Sequence, residues 1–164
     1  MTKTLNPNDP NSLAIVDIDR IIEAMATFEI ELERVEGRDD AATANLNGLP
    51  CLFAVLDSVA LVRCDVQTDA TFLGADAGLF LAANQINSVA FGARAVISEY
   101  EGTLVVRTER ELPIAAGMND QQLRTQLKAA VDGVLRAQDA MVSAAQEMAK
   151  LGSETAGNEA PQES

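Results

Sequence analysis

A chain of 164 residues, 48% of them hydrophobic, is long enough for one packed domain with tails. Its 25 acidic and 12 basic residues leave a net charge of −13, which repels phosphate backbones and anionic lipid and argues against nucleic-acid or membrane-surface partners. Histidine is absent, which removes Ser-His-Asp and Cys-His catalysis and the commonest zinc ligand.

No apolar run approaches the roughly 18 residues that a membrane span requires. The polar start, MTKTLNPNDPNS, lacks the apolar stretch of a secretory signal, so the expected compartment is a reducing cytoplasm. Residues 1–12 and 151–164 are rich in Asn, Pro, Ser, Gly and Glu and read as disordered tails around a single domain over 13–150.

Asp17 is a plausible N-cap, and Ile18, Ile21, Ile22 and Met25 form one apolar helical stripe. Phe28, Ile30 and Leu32 then alternate with Glu29, Glu31 and Glu33, the period of a half-buried strand. Glu36 to Asp40 reads as a turn. A strand over Ala42–Leu46 follows, and Asn47-Gly48 makes a hairpin turn because both residues tolerate positive φ. Cys51–Leu56 and Val59–Val66 read as strands joined at Asp57-Ser58, a register that sets Cys51 opposite Cys64. In a reducing compartment these two read as small core residues, with a redox pair as the sharper alternative.

The second helix is expected over Asp76–Val89, burying Leu79, Phe80, Ala83, Ile86 and Ala90. Asn84 and Asn87 lie three apart on it. Asparagine is a poor interior helix residue, so this pair implies specific hydrogen bonds, to the following hairpin or across a subunit interface, against a solvent-facing alternative. The next hairpin turns at Glu101-Gly102 and sets Ile97 opposite Val106, Ala95 opposite Thr108 and Arg94 opposite Glu109. One of its faces is apolar. The other is mixed, carries Val96 and Val105, and is either solvated or a docking surface. Asn119 and Gln122 start the last helix with a near capping box. Its stripe (Leu123, Leu127, Val131, Gln138, Met141, Ala145, Met148) is long enough for the final turns, with Met141, Val142 and Met148, to overhang the domain. Gly133 weakens that helix by roughly 1 kcal/mol unless close packing offsets it.

The chemistry-bearing patterns are missing. Glycines 74, 78, 92, 102 and 117 are scattered singly, there is no C-x-x-C, and the carboxylate pairs Asp39/Asp40 and Glu109/Glu111 read as solvated. Arg107 and Arg110 lack the interleaved aromatics of a nucleic-acid platform. No cofactor and no metal is called for.

Three segments carry a resemblance: AANQINSV (Ala82–Val89), EGTLVVRTERELPI (Glu101–Ile114) and GMNDQQLRTQLKAAVDGVL (Gly117–Leu135). With IDRIIEAM and NGLPCLFAVLD matching more loosely, residues 14–145 resemble the YbjN family, bacterial proteins described as sensory transduction regulators. This chain departs from the pattern in lacking Trp. The resemblance implies an α+β fold like the class I type III secretion chaperones. It would be an antiparallel sheet of five to six strands flanked by helices, in the order α-β-β-β-β-α-β-β-α, and often dimeric. The expected function is a non-enzymatic protein-interaction module, a homodimer or the holder of another protein, with a small-molecule sensor as the alternative. Phe80, Asn84, Asn87, Val96 and Val105 are the expected contact residues.

Overall fold

The computed structural model describes residues 13–74, 77–89 and 92–157. The chain runs α1 (Ile18–Ala26), β1 (Glu33–Arg34), β2 (Ala41–Leu46), β3 (Leu49–Leu56), β4 (Val59–Gln67), α2 (Gly78–Val89), β5 (Arg94–Tyr100), β6 (Thr103–Pro113) and α3 (Asp120–Gly157). The strands form one antiparallel six-stranded sheet, ordered β1-β2-β3-β4-β6-β5. This is the expected fold class and element order.

The turns follow local chemistry. Asn47 and Gly48 take φ of 54° and 83°, and Glu101 and Gly102 take 48° and 82°, the all-positive pattern of two-residue hairpins whose twist matches the strands. The two strand registers read from the sequence hold: Cys51 faces Cys64, and Ile97 faces Val106.

The helices lie on one side of the sheet. Asp17 caps α1 by accepting from the Arg20 N–H at 2.9 Å. Asn119 and Gln122 cap α3 reciprocally, at 2.8 and 3.0 Å. The main core joins Ile21, Met25, Phe53, Val62, Cys64, Leu112, Leu123, Leu127 and Val134. Two polar side chains also pin α3 to the sheet from inside the core. The Gln138 amide donates to the Cys64 and Val106 carbonyls at 3.1 and 3.0 Å, and the Thr108 hydroxyl donates to the Val134 carbonyl at 3.0 Å. Buried donors and acceptors need such partners, so these bonds fix where the helix sits as well as holding it. A second, smaller core under α2 gathers Ala82, Ala83, Ile86, Ala95, Val106 and Met141.

Three expectations change. Residues 28–32 are not a strand. The Ile30 N–H returns to the Met25 carbonyl at 3.2 Å and Glu29 sits at φ 61°, so the segment is a left-handed helix cap; only Glu33 and Arg34 pair with β2. The buried side of α2 holds at Leu79, Ala83 and Ile86 but not at Phe80, which is 40% exposed, while Ala82 is buried in its stead. Small alanines there let α2 settle between β5 and α3. Finally, α3 is helical through residues 151–157, where a tail was expected, so its 38 residues extend about 57 Å. Met141 and Met148, expected to overhang, instead pack into the small core under α2, where Met141 is buried, because α2 covers that stretch of α3; Val142 and Leu151 are exposed. The expected tails over 1–12 and 158–164, and the helix positions Asp76 and Ala90, lie outside the described residues.

Candidate interaction surface

Helix α2 and the loop before it carry an exposed apolar patch. Phe72 is 60% and Leu73 96% exposed, and Phe80 and Leu81 are 40% and 54% exposed. The Phe72 and Phe80 rings meet edge to face, centroids 6.4 Å apart with an 89° interplanar angle, which joins loop and helix into one surface. Single exposed apolar residues are ordinary, but adjacent large ones mark contact sites.

Asn87 makes the specific hydrogen bonds its position implied, and they go to the hairpin. Its amide donates to the Ala95 carbonyl, and its carbonyl accepts from the Ala95 N–H, both at 2.8 Å. The side chain thus acts as a one-residue strand on the outer edge of β5. Asn84 is exposed one turn earlier. Of the remaining expected contact residues, Val96 is 37% exposed on the helix-free sheet face, while Val105, on that same face, is only 6% exposed. Phe80, Asn84 and Val96 therefore present accessible surface at the α2–β5 end of the molecule; Asn87 is committed within the fold and Val105 is covered. Phe72, Leu73 and Leu81 escaped the sequence reading. Their signal was the Phe-Leu dipeptide occurring twice, in a chain with five Phe in all.

The helix-free sheet face is charged and internally paired. Glu109 is 4% exposed and accepts from Arg63 and Arg94 at 2.8 Å each, its two cross-strand neighbours. Burial pushes the Glu109 carboxyl up, but the bonds from Arg94 and Arg63 outweigh it and hold the group below its ordinary value. Arg107 grips Asp65 with two bonds of 2.8 Å, which holds its guanidinium above the ordinary value despite partial burial. The expectation that Glu109 is solvated is corrected: it is an internal counter-ion for two arginines. A face whose charges already satisfy one another has little left for a charged ligand.

Cys51 and Cys64 are free, buried cross-strand neighbours. The Cys64 thiol hydrogen-bonds Cys51 and is buried, which raises it far above the ordinary thiol range, and the same bond favours charge on Cys51. Reactive thiols sit in exposed, electropositive settings. This pair has neither feature and reads as core. Among the described residues no group of three or more His, Cys, Asp and Glu is placed to hold a metal ion. No helix among them is long and apolar enough to cross a membrane. A cleft of about 410 Å³ lies where the end of α2 approaches α3, lined by Ile86, Val89, Gly92, Gly133, Arg136 and Ala140.

The model of one protein family, described as "YbjN: Putative bacterial sensory transduction regulator", matches residues 17–143. This chain belongs to the YbjN family. No curated protein sequence matches it. Among solved structures it is similar to that of "YbjN, a putative transcription regulator from E. coli". The TM-score is 0.66 at 14% identity, covering 83% of this chain and 96% of the other. It is also similar to a chain of the heterodimeric ExoU–SpcU complex from the type III secretion system of Pseudomonas aeruginosa. There the TM-score is 0.50 at 16% identity, covering 76% of this chain and 96% of that one. At such identities the likeness is one of fold alone.

Proposed function

We propose that this YbjN-family chain is a non-enzymatic protein-interaction module with a chaperone-like or regulatory role, working through the α2–β5 end of the molecule. One observation carries the reading: the exposed Phe72 and Phe80 rings touch, and with exposed Leu73 and Leu81 beside them in sequence they bring four large apolar residues to the loop and first turn of α2. Such a surface gains by being covered, at roughly 25 cal/mol per Å² of apolar area removed from water. The similarity to a chain of a heterodimeric secretion complex points the same way, since that fold is seen there holding a protein. The acidic surface keeps the free module soluble and suits a basic or partly apolar polypeptide. The reading includes a homodimer and a cytoplasmic setting.

Light scattering on wild type and Phe80→Glu tests it. A wild-type assembly that falls apart in the variant, with the circular dichroism unchanged, is the expected result. An assembly unaffected by the charge would remove Phe80 from the contact.

The 410 Å³ cleft supports a second reading, a small-molecule sensor, because its walls are mainly apolar and Arg136 supplies one anchoring charge. A thermal-shift screen separates the two readings. Stabilisation by one class of organic anions, lost in Arg136→Gln, would favour the sensor.

A further inference from the structure

The outer edge of β5 specifies its own occupant. Backbone groups alternate in direction along a strand, and Tyr100 faces Thr103 across the two-residue turn at Glu101-Gly102. Arg94, Val96, Ser98 and Tyr100 therefore direct their N–H and C=O groups toward β6. Ala95, Ile97 and Glu99 direct theirs outward, which agrees with Ala95 bonding Asn87. Asn87 satisfies Ala95 only. β5 ends the sheet, and among the described residues nothing bonds the outward groups of Ile97 and Glu99. An open strand edge is a template for another strand.

We infer that the occupant is a second copy of this chain, its β5 antiparallel to this one about a two-fold axis through Ser98. This deepens the contact-module reading, on which it rests, by naming the partner and the register. Asn87 sets that register. Because Ala95 is already satisfied in each copy, only Ile97 and Glu99 can bond across the seam, each Ile97 with Glu99 of the second copy. Ser98 then faces Ser98.

The side chains are self-complementary in this register. On the helix-free face, Val96 falls opposite Tyr100 of the second copy, twice over. These are the large apolar residues of β5 that the monomer leaves exposed, 37% and 60%. An aromatic against a β-branched residue is a favourable cross-strand pair. Slipping the strands to set Ile97 against Ile97 would bring Glu99 against Ala95, which has no bond to give. Strand pairing alone makes a small interface, but α2 is hydrogen-bonded along the same edge, and its exposed Phe80 and Leu81 extend the surface beside the seam. The two Glu99 carboxylates become diagonal neighbours, so screening by salt should tighten the dimer.

Two variants of the full chain test the register. Ser98→Cys places identical side chains opposite each other at the axis, in a non-hydrogen-bonded pair with Cα atoms about 4.5 Å apart, within the span of a disulfide. Oxidised glutathione should convert it to a covalent dimer and leave wild type, with its buried thiols, unlinked. Glu99→Pro removes an outward N–H that bonds nothing within the fold, a place where an edge strand tolerates proline. It should be monomeric by light scattering with an unchanged circular dichroism spectrum. A wild-type dimer that neither crosslinks through Ser98→Cys nor responds to Glu99→Pro would overturn this seam while leaving the contact-module reading standing. A wild type that stays monomeric at every concentration would overturn the second copy as occupant, and a protein partner lost in Phe80→Glu would still support the broader reading.

Discussion

Replacing Asn87 with alanine isolates the contact that ties α2 to the edge of the sheet. The substitution deletes two hydrogen bonds of 2.8 Å to Ala95. Each is worth about 0.5–1.5 kcal/mol net, so the loss is about 1–3 kcal/mol. Alanine returns up to about 0.6 kcal/mol of helix propensity, and less here because Asn87 lies in the last turn of α2. The balance is a destabilisation of about 1–2 kcal/mol, roughly 3–6 °C in melting temperature for a domain of this size. Asn84→Ala is the control. Asn84 is exposed, so that change should be neutral or stabilising by a few tenths of a kcal/mol. Urea denaturation of both variants at one protein concentration gives the difference, and hydrogen exchange locates it, because the Ala95 amide should lose protection in Asn87→Ala alone. If Asn87→Ala proves as stable as Asn84→Ala, the side chain does not pin the strand.

Gly133→Ala should destabilise despite the better helix former, because the added Cβ would sit 2.8 Å from the Gly92 carbonyl carbon. Overpacking of about 1–3 kcal/mol exceeds the roughly 1 kcal/mol gain in propensity, and a raised urea midpoint would contradict that contact. Glu109→Gln should cost about 1–2 kcal/mol, with its arginines still partly solvated. The carboxyl is lowered in the folded state, so its contribution is full above the ordinary glutamate pKa, near 4.5, and fades as pH falls through the lower folded value. Wild type should therefore lose more stability than Glu109→Gln on going from pH 6 to pH 3, and parallel melting curves would refute the pairing. Phe53→Ala, at a fully buried position, should cost about 3–5 kcal/mol, and a loss below 1 kcal/mol would misplace the core. Native Cys51 and Cys64 should react with a thiol reagent only as fast as the protein unfolds; rapid labelling in native buffer would mean that they are accessible.

The hairpins and helix caps were legible because their residues leave little choice of backbone. Asn47-Gly48 and Glu101-Gly102 fix two-residue turns, and those turns fix every cross-strand pair that follows. The Asn119–Gln122 cap was legible for the same local reason. The end of α1 was not, since the left-handed position that glycine usually marks is held by Glu29. Without that marker, Phe28, Ile30 and Leu32 alternate like a strand. The buried side of α2 was legible at Leu79, Ala83 and Ile86, but Phe80 was misplaced because the exact facing depends on α3, a contact no local pattern encodes. The contact surface was half legible. Asn87 advertised a hydrogen bond, but Phe72 and Leu73 lie in a loop with no periodicity, and only packing shows them beside Phe80.

Hydrogen exchange at the Ile97 and Glu99 amides of the full chain, followed from dilute to concentrated protein, tests the contact account most directly. The account predicts fast exchange when dilute and concentration-dependent protection of both amides, joined by reduced exchange around Phe80 and Leu81. Concentration-independent exchange at these amides, in a chain that nevertheless self-associates, would place the contact elsewhere on the molecule and contradict it.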